Sequence, residues 1–343
     1  MALLMTAGLV RVYKPVSIRA EQPAAAADAP SLYLSDGFGA GLWQEEPTDP
    51  PVQETLPAPT EAPARTDPGP KPYPEQWTLT GSIEKMQYGY FSGTQYFDLE
   101  GAGQVVNKTE LPNETLLAES RERPAFPIVK DGTPQVLIMH THTTECYEPF
   151  ERDAFAKDFN YRTTDPEKSV CAVGEQIARQ LEAAGIGVVH DTTIHDYPSY
   201  NGSYARSAET VKACLAQYPS IRVVLDIHRD AIGDENVIKQ PTVTVDGQKA
   251  AQVMIISGCD DGTMGMPDYL QNFRLACLLQ RTMETDYPGL TRPVLFDYRK
   301  YNQDLTTGSL LIEVGSHGNT LDQAVYAGEL IGNALAEALG TLT

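Results

Sequence analysis

Residues 139–148 read MHTHTTECYE: two histidines one residue apart, and an acid three residues beyond the second. The chain has six histidines, so this stretch concentrates groups that bind metals or move protons. Two other apolar runs carry residues of the same kind. RVVLDIH ends in Asp226 and His228, with Arg229 and Asp230 following, and SLLIEVG holds Glu313. Imidazoles and carboxylates brought together from three segments have the composition of a catalytic zinc site. Such a site uses three protein ligands and keeps a fourth position for water. His142 and Glu145 have the H-x-x-E spacing that lets both reach one ion from a single turn. His228 would join them from a distant strand.

Glu313 interrupts an apolar run, where an unpaired charge is costly to bury. It calls for a nearby cation or a chemical role. Beside a metal-bound water it would accept the water's proton and pass it to a leaving amine. The competing reading pairs it with Arg229 as a structural salt bridge. His140 holds the last in-line strand position and His142 lies past the turn. His142 is therefore read as the ligand, with His140 as a supporting neighbour or an alternative. Asp226 shares a strand face with His228; it would orient that histidine, pair with Arg229, or cap the strand end.

Cys146 adjoins Glu145, but a thiol nucleophile needs a depressed pKa and no helix N-terminus is there to supply it. His190 and His195 read as polar or hydrogen-bonding groups, and His317 as part of an exposed loop. Asn302 and Gln303 precede the Glu313 strand and suit recognition of peptide or sugar amides. Tyr204, in PSYNGSYARS, suits a substrate platform. Ordinary loop and turn structure would account for these three as well.

The elements that must position these residues alternate from Pro134 onward. QVLIMH is a continuous apolar run of strand length, as in a sheet covered on both faces. TTDPEKSVCAVGEQIARQLEAAG carries helix signals: Asp165 as cap, Pro166 at the first helical position, Thr164 and Glu167 at capping-box spacing. Val170, Val173, Ile177 and Leu181 form its buried stripe and Gly185 ends it. Strand IGVVH, a helix near 203–217, strand IRVVLDIH, strand AQVMIISG, a helix at 268–285, PVLFDY, strand SLLIEVG and a helix at about 320–339 follow. This alternation predicts an α/β fold, an open and mostly parallel sheet with helices on both faces. Ligands in such sheets bind at the carboxyl ends of the strands.

With 46 acidic and 26 basic residues in 343, the formal charge is −20, which argues against nucleic acid or anionic membrane surfaces as partners. Five cysteines, odd in number and without CxxC spacing, argue against a disulfide framework. The apolar residues 1–20 are too few to span a bilayer and read as the remnant of an anchor. Residues 21–77 hold 12 of the 25 prolines and read as a disordered acidic linker. Residues 78–130, with YGYFSGTQYFDL, read as a small irregular lead-in, and 131–343 as the catalytic domain.

VLIMHTHTTECY, YNGSYARS, DIHRDA and YNQDLTTGSLLIEVGSHGNT occur in this order. Together they resemble the stage II sporulation protein P family, cell-wall hydrolases of endospore-forming bacteria. The resemblance runs from about Lys108 to the C-terminus. It implies an N-acetylmuramoyl-L-alanine amidase with endopeptidase activity on stem-peptide cross-links, and a fold similar to zinc amidases and zinc carboxypeptidases. It implies His142, Glu145 and His228 as zinc ligands with His140 close by, and Glu313 as catalytic acid and base. Arg229 would stabilise the oxyanion or hold Asp226. It also implies a membrane-anchored, extracytoplasmic protein acting on peptidoglycan between forespore and mother cell. Its expected partners are the sporulation lytic transglycosylase, stage II sporulation protein D, and a membrane protein. A zinc carboxypeptidase-like enzyme and a non-catalytic wall-binding module are the two other readings.

Overall fold

The computed structural model describes residues 78–343. The expected anchor remnant and linker, 1–20 and 21–77, lie outside the described residues. Twelve strands and five α-helices follow in the order β1 (Gly81–Met86), β2 (Tyr96–Asp98), β3 (Gln104–Asn107), α1 (Asn113–Glu119), β4 (Pro134–Met139), β5 (Ala154–Phe155), α2 (Val170–Ala183), β6 (Gly187–His190), α3 (Ser203–Gln217) and β7 (Val223–Asp230) among the described residues. The chain continues through β8 (Val237–Val245), β9 (Gln248–Ala251), β10 (Val253–Cys259), α4 (Tyr269–Asp286), β11 (Val294–Tyr298), β12 (Ser309–Ser316) and α5 (Leu321–Gly340).

Eight strands form one sheet in the order β2-β3-β11-β10-β12-β7-β4-β6. The α/β class is as expected, but the sheet is mixed: β2–β3 and β10–β12 run antiparallel and the other pairings are parallel. The alternation of apolar residues along each strand sends them to two faces. Val136, Ile138, Val223, Leu225 and Ile227 meet α2 on one face, and α4 and α5 cover its continuation along β10 and β12. Leu137, Met139 and Val224 meet Val211 and Cys214 of α3 on the other. Farther along that second face, Tyr96 and Tyr301 rather than a helix pack on Met254, Ile256 and Leu311.

Local signals explain most element boundaries. The expected long helix divides: Asp165 caps a 3₁₀ turn over Pro166–Lys168, and Ser169 caps α2, accepting the Cys171 N–H at 3.2 Å. The stripe Val170, Val173, Ile177 and Leu181 is fully buried as the periodicity predicts. The sequence reading has one strand, AQVMIISG, where the structure has three. The missing pair is the β8–β9 hairpin, turned at Asp246 and Gly247 with φ of 48° and 81°. Asp-Gly is the dipeptide that such a left-handed turn favours. Residues 78–130 are less irregular than expected. β2 and β3 extend the main sheet, and β1 enters a second sheet in the order β5-β1-β8-β9.

A bulge follows Glu313 in β12, and Gly315 sits there at φ +65°. A Cβ at this position would lie 2.6 Å from Asn319 Oδ1 and 2.8 Å from Ala251 Cβ. Gly315→Ala should therefore destabilise the fold by about 2 kcal/mol or more, from left-handed strain and overpacking together. The midpoint of urea unfolding measures it, and an unchanged midpoint would refute the account.

Candidate active site at the strand ends

β7 sends Asp226, His228 and Asp230 to one face and Ile227 and Arg229 to the other, because side chains alternate along a strand. β12 runs parallel beside it with Glu313 directly opposite His228. β10 lies beyond with Met254 opposite Glu313, and on the far side of β7 Met139 of β4 lies opposite Asp226. Past β4 the chain turns back at once, the Glu145 N–H donating to the His142 carbonyl at 3.0 Å. This turn puts both ends of the H-x-x-E motif over β7. The His142 and His228 rings stand 5.2 Å apart, and His228 Nδ1 lies 3.6 Å from Glu145 Oε2.

Four of the expected residues therefore gather in one place: His142, Glu145, His228 and Glu313, each 3–5% exposed. Asp226 stands behind them. Its Oδ1 lies 2.8 Å from His228 Nε2, while Thr141 donates to it through N–H and hydroxyl at 2.8 and 2.7 Å. Asp226 thus orients the histidine and fastens the turn that carries His142. Of its three expected roles, orientation is the one the geometry displays.

Burial opposes the charge on His228, but Asp226 and Glu145 on either side outweigh it and raise its pKa well above the usual histidine value. Burial also pushes the Glu145 carboxyl up; Arg229 and His228 outweigh it and hold this group well below the carboxylate range. Glu313 goes the other way. Burial first, and then the Asp230 carboxylate, raise it well above an ordinary glutamate, against the pull of His228 and Arg292. Two carboxyls in one crevice are thus driven apart, the arrangement that separates a permanently charged group from one that trades protons.

Glu313 Oε2 is buried and has no hydrogen-bond partner, and His142 Nδ1 is in the same condition. The other nitrogen, His142 Nε2, is held by the Tyr200 hydroxyl at 3.0 Å, and the two rings stack at 4.5 Å. Among the described residues no three His, Cys, Asp or Glu side chains are already closed around one point as ligands. The donors are nevertheless of the kind zinc takes: two imidazoles and a carboxylate, with the Tyr200 hydroxyl bonded to one outer ring nitrogen and Asp226 Oδ1 2.8 Å from the other. In chemistry the set fits a catalytic zinc.

Other expected residues stand elsewhere. Arg229 does not reach Asp226 or the crevice, since it follows His228 on the strand and faces the opposite side. Its Nε and Nη2 donate to the carbonyl oxygens of Cys146 and Tyr161 at 2.7 and 2.8 Å, and its backbone N–H donates to Glu145 Oε2 at 3.2 Å. It positions the turn; the structural pair with Glu313 is not formed. His140 also faces away: Nδ1 meets the Ile227 carbonyl and Nε2 meets His190 Nε2, both at 3.0 Å. Gln303 is turned inward, bonding Gly258 N–H at 2.9 Å and the Ile256 carbonyl at 3.0 Å at the end of β10. Asn302 donates to the Tyr204 carbonyl and Ser207 Oγ. Tyr204 does line the site, edge-on to His142 at 5.6 Å and stacked on Tyr301 at 5.3 Å.

His190 and His195 are hydrogen-bonding residues, as expected. His317 is buried, not an exposed loop residue; its N–H donates to the Asp230 carbonyl beside the bulge. Burial pushes the Cys146 thiol up to about 12, which suits no nucleophile.

Two groups were missed. Arg292 donates to Asp230 Oδ2 at 2.8 Å and lies against Met254 Sδ, next to Glu313. Arg162 donates to Asp196 at 2.6 Å, approaches Glu145 Oε1 at 3.9 Å and covers the Tyr200 ring at 5.0 Å. Asp230 was legible as the next residue on the His228 face. Tyr200 opens YNGSYARS, the tyrosine segment already read as a platform or a turn, whereas Arg292 and Arg162 carry no motif that ties them to the site.

The chain matches the family model described as stage II sporulation protein P over residues 93–336, which takes in every residue of the crevice. It is 29% identical over 280 residues to the Stage II sporulation protein P of Bacillus subtilis (strain 168), covering 71% of this chain and 67% of that protein. Among solved structures it is distantly similar to the N-acetylmuramoyl-L-alanine amidase AmiC2 of Nostoc punctiforme, at 14% identity and a TM-score of 0.34, covering 60% of this chain and 96% of that one. It is similar at the same distance to the CwlD amidase from Clostridioides difficile, solved in complex with the GerS lipoprotein, at 13% identity and a TM-score of 0.35, covering 61% and 98%. The family match spans well over half of the sequence, and the chain belongs to the stage II sporulation protein P family.

Proposed function

We propose that this protein is a zinc-dependent peptidoglycan hydrolase, an N-acetylmuramoyl-L-alanine amidase that releases stem peptides from glycan strands and also cuts their cross-links. The observation that carries this reading is Glu313: a buried carboxyl without a hydrogen-bond partner, directly across from His228 in a crevice of two imidazoles and a second carboxylate. His142, Glu145 and His228 would hold the zinc. When bound, zinc polarises the amide carbonyl and lowers the pKa of a water.

The chain's own residues do the rest. Asp226 fixes the plane of His228, and Arg229 fixes Glu145 through its backbone N–H. Glu313 takes the proton of the attacking water and delivers it to the departing L-alanine nitrogen. Its elevated pKa suits the second half of that task, and Arg292 draws it toward the charged form for the first.

Family membership extends the proposal to place and partners. The protein would act outside the membrane, tethered to it, during engulfment, together with the sporulation lytic transglycosylase and a membrane protein.

The test is digestion of purified sacculi by the zinc-supplied protein, followed by mass spectrometry of the soluble products. Release of intact stem peptides beginning at L-alanine, with no new reducing sugar ends, is expected. Release of single amino acids instead would identify a carboxypeptidase-like enzyme. Binding to sacculi without any solubilisation would identify a wall-binding module.

A further inference from the structure

The loop of residues 191–202, between β6 and α3, contains no strand or helix, yet it grips the H-x-x-E turn at three points. His195 Nδ1 bonds the His140 carbonyl at 2.9 Å. Asp196 accepts the Thr144 N–H at 3.1 Å and the Thr144 hydroxyl at 2.7 Å. Tyr200 reaches His142 Nε2 through its hydroxyl at 3.0 Å, with its ring stacked on the imidazole. A loop outside the sheet ladder has few backbone bonds to keep such contacts in place.

Here one side chain supplies them. Arg206, in the first turn of α3, donates from Nε to the His195 carbonyl at 2.6 Å, from Nη2 to the Ser199 carbonyl at 2.7 Å and from Nη1 to the Asn201 carbonyl at 3.0 Å. Ser199 and Asn201 are the neighbours of Tyr200, so the guanidinium pins the chain on both sides of that residue. Bonds from a charged donor are about twice as strong as neutral ones, and the rigid fork serves three acceptors at once. Gly202 leaves room for the fork. It sits at φ +76°, and a Cβ there would lie 3.0 Å from Arg206 Nη1. The YNGSYARS segment thus holds the tyrosine, the glycine and the arginine of one device.

We propose that Arg206 is a positioning residue for His142, acting through Tyr200. The guanidinium sets the loop, the loop sets the Tyr200 hydroxyl, and the hydroxyl sets the plane of the imidazole. An outer partner of this kind fixes the tautomer and direction of a ligating histidine. That His142 receives zinc rests on the hydrolase reading above; the staple itself rests on the three carbonyl bonds.

The test is the zinc affinity of the full chain, measured by competition with a chelating dye. Arg206→Ala should weaken it by about 10-fold. Arg206→Lys keeps the charge but has one nitrogen in place of the fork, and should still lose about 5-fold. Tyr200→Ala should cost about 10-fold by itself, and adding Arg206→Ala to it no more than about 2-fold, because the two act in series. Lys212→Ala removes a cation from the same helix, one bonded to Glu209, and should leave the affinity as it was. Wild-type affinity in Arg206→Lys overturns the staple, as do fully additive losses in the double variant. A lower metal-free melting temperature with zinc affinity intact also overturns it, leaving Arg206 a support of the fold alone. If the wild type takes up no zinc, the zinc reading falls, and the staple is judged by hydrogen exchange in the metal-free protein. The buried Thr144 N–H, bonded to Asp196 of the loop, should then exchange faster in both Arg206 variants, and unchanged exchange overturns the staple.

Discussion

Glu313→Gln is expected to give a folded protein whose rate of stem-peptide release has dropped by about 10²–10⁴, the usual loss when a general base is removed. The substitution keeps volume and shape and takes away only the capacity to accept a proton. The structure explains why stability should survive. Glu313 Oε2 has no hydrogen-bond partner, and the nearest guanidinium, Arg292, is already paired with Asp230. No ion pair is broken when Glu313 becomes neutral. Burial and Asp230 already favour its protonated form, which the glutamine amide imitates. The competing reading, a structural salt bridge, predicts a loss of about 3–5 kcal/mol because a buried partner would be stranded. Melting temperature, zinc content and rate should therefore be read on one preparation. A stable variant that hydrolyses at the wild-type rate ends the proposed mechanism.

The crevice was legible in the sequence to the extent that strand periodicity and short spacing determine it. His142 and Glu145 are three residues apart in a turn, and Asp226, His228 and Asp230 occupy alternate positions of one strand. Glu313 stood out as a charge inside an apolar run. Each of these is a local property of the chain, and each lands in the crevice. Arg229 shows the opposite case. Its charge and its place beside His228 suggested a role in chemistry, but the same alternation that brings His228 inward turns Arg229 away. The two-residue period held the answer, and proximity in sequence obscured it.

The contacts that could not be read depend on tertiary placement. Arg292 reaches Asp230 across 62 positions, and Tyr200 reaches His142 across 58. Nothing in the local pattern of either segment specifies its partner. Sheet direction was lost for a similar reason. Alternating strands and helices suggest parallel pairing, and β10–β12 runs antiparallel because the chain passes through α4, β11 and a loop before returning from the other end. The β8–β9 hairpin differs, since its Asp-Gly turn was present in the sequence to be read.

Zinc binding should separate the three candidate ligands from the histidine beside them. The wild type is expected to take about one zinc per chain, with three protein donors as in other catalytic sites. His142→Ala and His228→Ala should each remove most of it, because two remaining donors hold the ion poorly. Asp226→Asn keeps every donor but loosens the plane of His228, and affinity should fall by about 10–100-fold. Stability without metal should split the two histidines. In His228→Ala the Asp226 and Glu145 carboxylates face each other across the vacated space, and about 3–5 kcal/mol should be lost. His142 makes no such ion pair at hydrogen-bond distance, its Nδ1 lying 4.0 Å from Asp196, so His142→Ala should lose only its ring packing and the Tyr200 hydrogen bond. His140→Ala breaks the contact with His190 on the other face of the sheet and should leave the zinc in place. Elemental analysis of the dialysed variants, together with urea unfolding in chelator, measures both quantities. Full zinc retention in His142→Ala and His228→Ala would refute the ligand assignment, and loss of zinc in His140→Ala would move the first ligand two residues back along the chain.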